Sequence, residues 1–160
     1  MKIRQRFQYP AGIIDLGCGV GLTTAMISEN FSGIPIIGTQ VDGYQKSIAT
    51  LLGRDCNFSV RSGIPKNLTG HWCFGLDYFE HFQDPTGHMQ QLIDAGVSLF
   101  VLANSFASKS VGHFPMYLID GHRVPASKAS RKFNDWMRLQ GFEKFKTGFF
   151  NDRPTVWVRK

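Results

Sequence analysis

Only three cysteines occur in the 160 residues, Cys18, Cys56 and Cys73, and their spacing pairs none of them. In apolar or glycine-rich surroundings they read as reduced thiols, not as a disulfide framework. No apolar run approaches the ~20 residues that a membrane span requires. The basic start, with Lys2, Arg4 and Arg6, lacks the hydrophobic core of a secretory signal, so a cytoplasmic location is expected. Internal repeats and low-complexity tracts are absent. Cys-x-x-Cys and His-x-x-x-His are absent too, so no metal site is expected, and no Gly-Lys-Ser/Thr follows the glycines to make a phosphate loop. Acidic residues are scarce, 12 against 18 Lys and Arg, which leaves a net charge of +6 and admits an anionic partner.

What is present is an ordinary globular composition, 42% hydrophobic and 19% charged. A chain of this length is expected to form one domain, 1–160, and to bury roughly two thirds of its unfolded surface without a staple. Its most informative segment is Ile13-Ile14-Asp15-Leu16-Gly17-Cys18-Gly19-Val20-Gly21. An apolar strand over 12–16 runs into three alternating glycines, which permit positive φ and let a ligand approach the backbone. The pattern over 22–31 reads as a helix, so the turn aims N–H groups and a positive helix end outward. A dinucleotide loop would carry its third glycine one residue later than Gly21. Asp15 would repel a diphosphate and attract an ammonium or sulfonium. The expected ligand is a cationic, phosphate-free nucleoside.

Strand-length apolar segments then alternate with helical patterns, the signature of an α/β fold with a parallel sheet covered on both faces. Strands are predicted over 35–41, 56–60, 71–76 and 97–103. Helices are predicted over 44–52, with Tyr44, Ile48, Leu51 and Leu52 inward, and from Asp84-Pro85 through Met89, Leu92 and Ile93. A long irregular connection over 105–126 holds His113, Phe114, Pro115, Tyr117, Asp120 and His122, and such a stretch in a compact domain implies use. A helix over 127–140 sets Lys128, Arg131, Lys132, Asp135 and Arg138 on one stripe and Ala129, Phe133, Trp136 and Met137 opposite. Segments 142–150 and 155–159 close the chain as a hairpin. Trp72, Trp136 and Trp157 belong to the core.

The segment Asp15-Leu16-Gly17-Cys18-Gly19-Val20-Gly21 resembles the first motif of class I S-adenosylmethionine-dependent methyltransferases. Residues 35–52 resemble that family's second strand and helix. Residues 74–85 resemble its fourth strand and the loop after it, with Asp77-x-x-Glu80-His81 followed by Asp84-Pro85. The resemblance covers 12–159. It implies a Rossmann-like three-layer sandwich, a mostly parallel seven-stranded sheet with an antiparallel last strand, and S-adenosyl-L-methionine as cofactor with S-adenosyl-L-homocysteine as product.

The same resemblance implies site residues. Asp15, Gly17, Cys18, Gly19 and Gly21 fall at the methionine end of the cofactor. For the ribose, Asp42 and the adjoining Gly43 are chosen over Gln40, because Asp42 lies about 20 residues past the glycine turn and opens a helix. The family's acidic residue for the adenine amino group is replaced here by Val60-Arg61-Ser62-Gly63-Ile64, where backbone at Ser62 and Gly63 is the substitute. Leu76 and Asp77 end the fourth strand, at the ligand-binding edge of an open α/β sheet. His81 and His113 are the candidate catalytic bases, and His113, Tyr117 and His122 the candidate acceptor contacts.

Methyl transfer is an in-line displacement at carbon, so its main demand is positioning, which explains why the cofactor motifs are legible and the acceptor is not. Asn/Asp-Pro-Pro-Tyr and a Pro-Cys nucleophile are absent, which disfavours base methylation. A small-molecule, lipid or glycan acceptor is expected. The alternatives are a non-catalytic protein binding RNA or another partner through its basic C-terminal stripe, and an enzyme using the same cofactor otherwise, such as a sulfonium-cleaving lyase.

Overall fold

The computed structural model describes residues 7–107, 109–148 and 153–160. Lys2, Arg4, Arg6 and the end of the predicted 142–150 strand lie outside the described residues. In chain order the elements are β1 (Gly12–Leu16), α1 (Leu22–Asn30), β2 (Ile36–Thr39), α2 (Gly43–Cys56), β3 (Ser59–Arg61) and β4 (His71–Leu76). There follow α3 (Pro85–Asp94), β5 (Leu99–Ala103), β6 (Met116–Ile119), β7 (His122–Pro125), α4 (Ala126–Leu139), β8 (Phe142–Phe145) and β9 (Thr155–Arg159). Seven strands make one sheet in the order β3-β2-β1-β4-β5-β9-β8, and β6 and β7 form a separate ribbon. β1 runs parallel to β2 and β4, whereas β9 is antiparallel to β5 and β8. This is a Rossmann-like α/β fold with an antiparallel last strand.

The chain divides into two compact units, one running to Phe74 with Ala95–Val97, the other holding Gly75–Asp94 and Ser98–Lys160. In the first, β1 is buried along its whole length because a parallel strand flanks it on each side. Phe31, at the end of α1, sets its ring edge-on to Trp72 and Phe74 at 5.7 and 6.4 Å. Helix α2 departs from expectation. It starts at Gly43, extends four residues beyond 52, and turns Tyr44 and Leu51 to solvent, 77% and 60% exposed. Ala49 and Gly53 face inward instead. A Cβ on Gly53 would meet the Phe58 carbonyl oxygen at 2.5 Å, so the helix lies too close for large side chains on that face. Because α2 takes Cys56, β3 is shorter than the predicted 56–60, and β2 stops at Thr39.

In the second unit Asp84 caps α3, its Oδ1 accepting from the Gly87 N–H at 2.8 Å and the Thr86 hydroxyl at 3.0 Å. The connection read as irregular over 105–126 contains the β6–β7 hairpin, turning at Asp120 and Gly121 with φ of 53° and 74°. Positive φ at both positions is what Asp-Gly supplies in a two-residue hairpin turn, and that dipeptide was the overlooked signal. Helix α4 follows its pattern: Ala129, Phe133, Trp136 and Met137 are buried, and the Lys128, Arg131, Lys132, Asp135 and Arg138 stripe is exposed. Phe133 contacts Phe79, Phe106 and Trp136 with centroids 5.4 to 6.1 Å apart. Trp72, Trp136 and Trp157 are core residues, the three cysteines are free, and no helix among the described residues is long and apolar enough to cross a membrane.

Candidate functional site

The turn after β1 is built from backbone. Gly17, Gly19 and Gly21 have φ of 63°, 56° and 92°, a left-handed region that side chains seldom enter. The end of β2 clamps the turn from one side. The Cys18 N–H donates to the Thr39 carbonyl at 2.9 Å and the Gly17 N–H to the Thr39 hydroxyl at 3.3 Å. Contact there is tight, since a Cβ on Gly38 would come 2.8 Å from the Cys18 sulfur. Gly21 is needed for packing: a Cβ would press on Phe58 and Ala49 at 3.0 and 3.2 Å. Gly19 instead adjoins open space, with only the Gln45 side-chain oxygen at 3.6 Å. Gly21 is the N-cap residue of α1 and no side chain caps that end, which leaves first-turn N–H groups and the positive dipole end open to a ligand.

Asp15 lies in the core beneath this turn, 2% exposed, accepting from the Thr24 hydroxyl at 2.6 Å. Burial lifts its pKa from the ordinary 3.8 to about 6, and the Thr24 bond offsets part of the rise. Burial, with the nearby Asp15 charge adding to it, pushes the Cys18 thiol up to about 11 and holds Cys73 well above its ordinary value. The sequence suggested a carboxylate beside the ligand; the fold buries it in the core against Thr24.

Beyond β2, Gln40 is occupied by its own loop. Its Oε1 accepts from the Val41 and Asp42 N–H groups at 2.7 and 3.1 Å, and its Nε2 donates to Gln45 at 3.0 Å. Asp42 is exposed and caps α2, one carboxylate oxygen accepting from the Gln45 N–H at 2.8 Å. Gln45 therefore links Gly19, Gln40 and Asp42 into one neighbourhood, a role that sequence reading missed. Gly43 and Gly63 border open space, and Ser62 accepts from the Lys46 ammonium at 2.8 Å.

The second unit holds the other candidates. Asp77, exposed, has φ of 48° and donates its N–H to the Ala103 carbonyl at 2.8 Å, just past Leu76 at the end of β4. A 3-10 turn over Phe79–His81 follows. Glu80 within it is fully buried, one oxygen accepting from the Ser105 N–H at 2.6 Å. The exposed His81 ring stands edge-on to His113, centroids 4.9 Å apart. Tyr117 is buried; its hydroxyl donates to the Glu80 carbonyl at 3.0 Å and accepts from the Phe114 N–H at 3.2 Å. His122 begins β7 opposite Ile119 and is exposed. No group of three His, Cys, Asp or Glu suited to a metal ion occurs among the described residues.

No family model and no curated protein matches the chain by sequence. Solved structures match it by shape. The [4+2]-cyclase SpnF aligns with a TM-score of 0.64 at 15% identity, over 90% of this chain and 57% of SpnF. The bifunctional kinase-methyltransferase WbdD aligns at 0.63 and 17% identity, over 94% of this chain and 35% of WbdD. A putative sarcosine dimethylglycine methyltransferase from Galdieria sulphuraria aligns at 0.53 and 18%, over 59% and 39%. The fold is that of the class I methyltransferases.

The chain spans just over half the length of SpnF and about a third of WbdD. Within the class I methyltransferase fold, the open backbone at Gly19 lies where β1 ends, at the carboxyl edge at which open α/β sheets take ligands. Glu80, His81, His113 and Tyr117 are brought together by the turn after β4 and the loop before β6, although more than thirty positions separate the first and last. Thr24 and Thr39 were not singled out from sequence. Only tertiary contacts reveal them.

Proposed function

We propose that this chain is an S-adenosylmethionine-dependent methyltransferase acting on a small-molecule, lipid or glycan acceptor. The observation that carries the reading is the glycine turn of β1, backbone-lined and open at Gly19, with an uncapped helix start beyond it and a buried carboxylate behind it. Such a cradle suits a cationic nucleoside better than a diphosphate. Gly17, Cys18, Gly19 and Gly21 would hold the methionine end, with Asp15 supplying negative potential. Asp42 and Gly43 would face the ribose, Ser62 and Gly63 the adenine, and Leu76 and Asp77 the ammonium. When bound, the cofactor supplies a methyl group activated by its sulfonium.

The chain's own work is to place the acceptor in line, exclude water and receive a proton. His81 and His113 are the bases within reach of the turn after β4. Tyr117 acts through the Glu80 carbonyl as a positioning residue, and His122 would contact the acceptor from the hairpin. Isothermal titration with S-adenosylmethionine and S-adenosylhomocysteine tests the reading. Binding of both is expected; no heat from either at millimolar concentration rejects it.

The second reading, a non-catalytic RNA-binding protein, is favoured by one observation. The exposed stripe of α4 continues into a groove lined by Arg138, Lys144, Lys146 and Lys160. SpnF, named as a [4+2]-cyclase, has a related fold, so use of the cofactor for another reaction, including sulfonium cleavage, is a further alternative. Incubation with cofactor alone separates it, since a methyltransferase leaves the cofactor intact.

A further inference from the structure

We propose that the basic face of α4, with the groove beside it, docks onto an anionic lipid surface and that Leu139 enters the headgroup layer. The inference goes beyond methyl transfer and does not depend on it. On α4, Lys128, Arg131, Lys132 and Arg138 are exposed, and they extend over about 15 Å at ~1.5 Å per residue. The groove beside Arg138 adds Lys144, Lys146 and Lys160. Against these stand two carboxylates, Asp135, which pairs with Arg138 at 2.8 Å, and Glu143, so the face is strongly positive. Charges spread over more than a Debye length of about 8 Å cannot all be met by one small anion. A surface bearing many anions meets them together.

Two features separate a bilayer from a nucleic acid, the partner that the second reading gives to the same face. The first is Leu139, 80% exposed within the charged stripe. At 3.6 residues per turn it lies about 20° around the helix from both Lys128 and Lys132. A phosphate backbone offers this side chain nothing, whereas the boundary between headgroups and acyl chains takes it out of water while the cations around it reach lipid phosphates. The second is the state of the aromatic rings beneath the face. Trp136, Phe142 and Trp157 are buried, and Arg138 and Lys144 lie over the Trp157 ring, 5.8 and 5.6 Å from its centroid. Bases seeking a ring to stack on would meet the cations instead.

Docking asks for no rearrangement. Ala129, Phe133, Trp136 and Met137 keep the opposite side of α4 in the core, so the helix lies along the bilayer as it stands in the fold.

The test is co-sedimentation of the full chain with vesicles of phosphatidylcholine, alone and mixed with phosphatidylglycerol, beside anisotropy of a labelled RNA oligonucleotide at the same salt. Binding is expected to the anionic vesicles and not to phosphatidylcholine alone. Changing Lys128, Arg131 and Lys132 together to Glu should weaken it about a hundredfold or more, at about fivefold per charge removed. Leu139→Ser should weaken it about tenfold and leave any RNA affinity unchanged, and Leu139→Trp should tighten it. The two Leu139 variants keep every charge and leave the core untouched, so they read the lipid contact even if the triple reversal fails to fold. A folded wild type that stays in the supernatant with anionic vesicles, whether or not it binds the RNA, overturns the proposal. Vesicle binding indifferent to both Leu139 variants overturns it too.

Discussion

Replacing Asp15 by Asn probes the buried charge beneath the glycine turn. The folded carboxyl titrates near 6, against an ordinary 3.8. Between about pH 4 and pH 6 the folded state therefore keeps a proton that the unfolded chain has released, and stability falls as pH rises through that window. Above about pH 6 the full penalty applies, about 3 kcal/mol at about 1.4 kcal/mol per pK unit. Asp15→Asn removes the ionisation and keeps an oxygen for the Thr24 hydroxyl. Urea denaturation at pH 4, 5, 6 and 7.5 should show the variant no more stable than wild type at the acid end and up to about 3 kcal/mol more stable at pH 7.5. The difference isolates Asp15, because other carboxyls titrate in both proteins and the raised Cys18 and Cys73 thiols stay neutral throughout. Stability given up in this way is reasonable only if the charge serves a ligand. Binding of a sulfonium should then favour the ionised carboxyl and release protons near pH 6, visible as titration heats that depend on the buffer's ionisation enthalpy. A stability difference that is flat across the range would refute the argument.

Three further outcomes follow from named contacts. Thr24→Val removes the 2.6 Å bond to Asp15 and should cost about 2 kcal/mol at pH 7.5 while moving the stability midpoint to higher pH, measured by the same denaturation series. Gly38→Ala drives a Cβ against the Cys18 sulfur and should cost about 1 to 3 kcal/mol and weaken cofactor binding; unchanged affinity in a destabilised protein would mean the turn does not touch the cofactor. Reversing Lys128, Arg131 and Lys132 to Glu on the exposed face of α4 should move stability by only about 0.5 kcal/mol. Fluorescence anisotropy with an RNA oligonucleotide at low salt decides the second reading: it requires binding in the wild type that salt and the reversal both abolish.

Periodicity and turn chemistry alone determined a good deal. The strand into Gly17, Gly19 and Gly21, the cap at Asp42, the amphipathic face of α4 and the antiparallel closure at β9 are local patterns, or family patterns carried by local residues, and they hold in three dimensions. Elements whose partners are distant were not legible. Tyr44 and Leu51 look inward on a helical wheel, yet Gly53 against Phe58 brings α2 so close that the small face turns in. Asp15 looks like a ligand residue, yet Thr24 holds it in the core, out of reach of a direct contact. The joining of Glu80 to Ser105, and through the Tyr117 hydroxyl to Phe114, depends on hydrogen bonds between segments far apart in the chain, which no spacing encodes. Sequence dictates which backbone shapes each segment can adopt; burial and charge at a site arise only when segments far apart in the chain exclude water together.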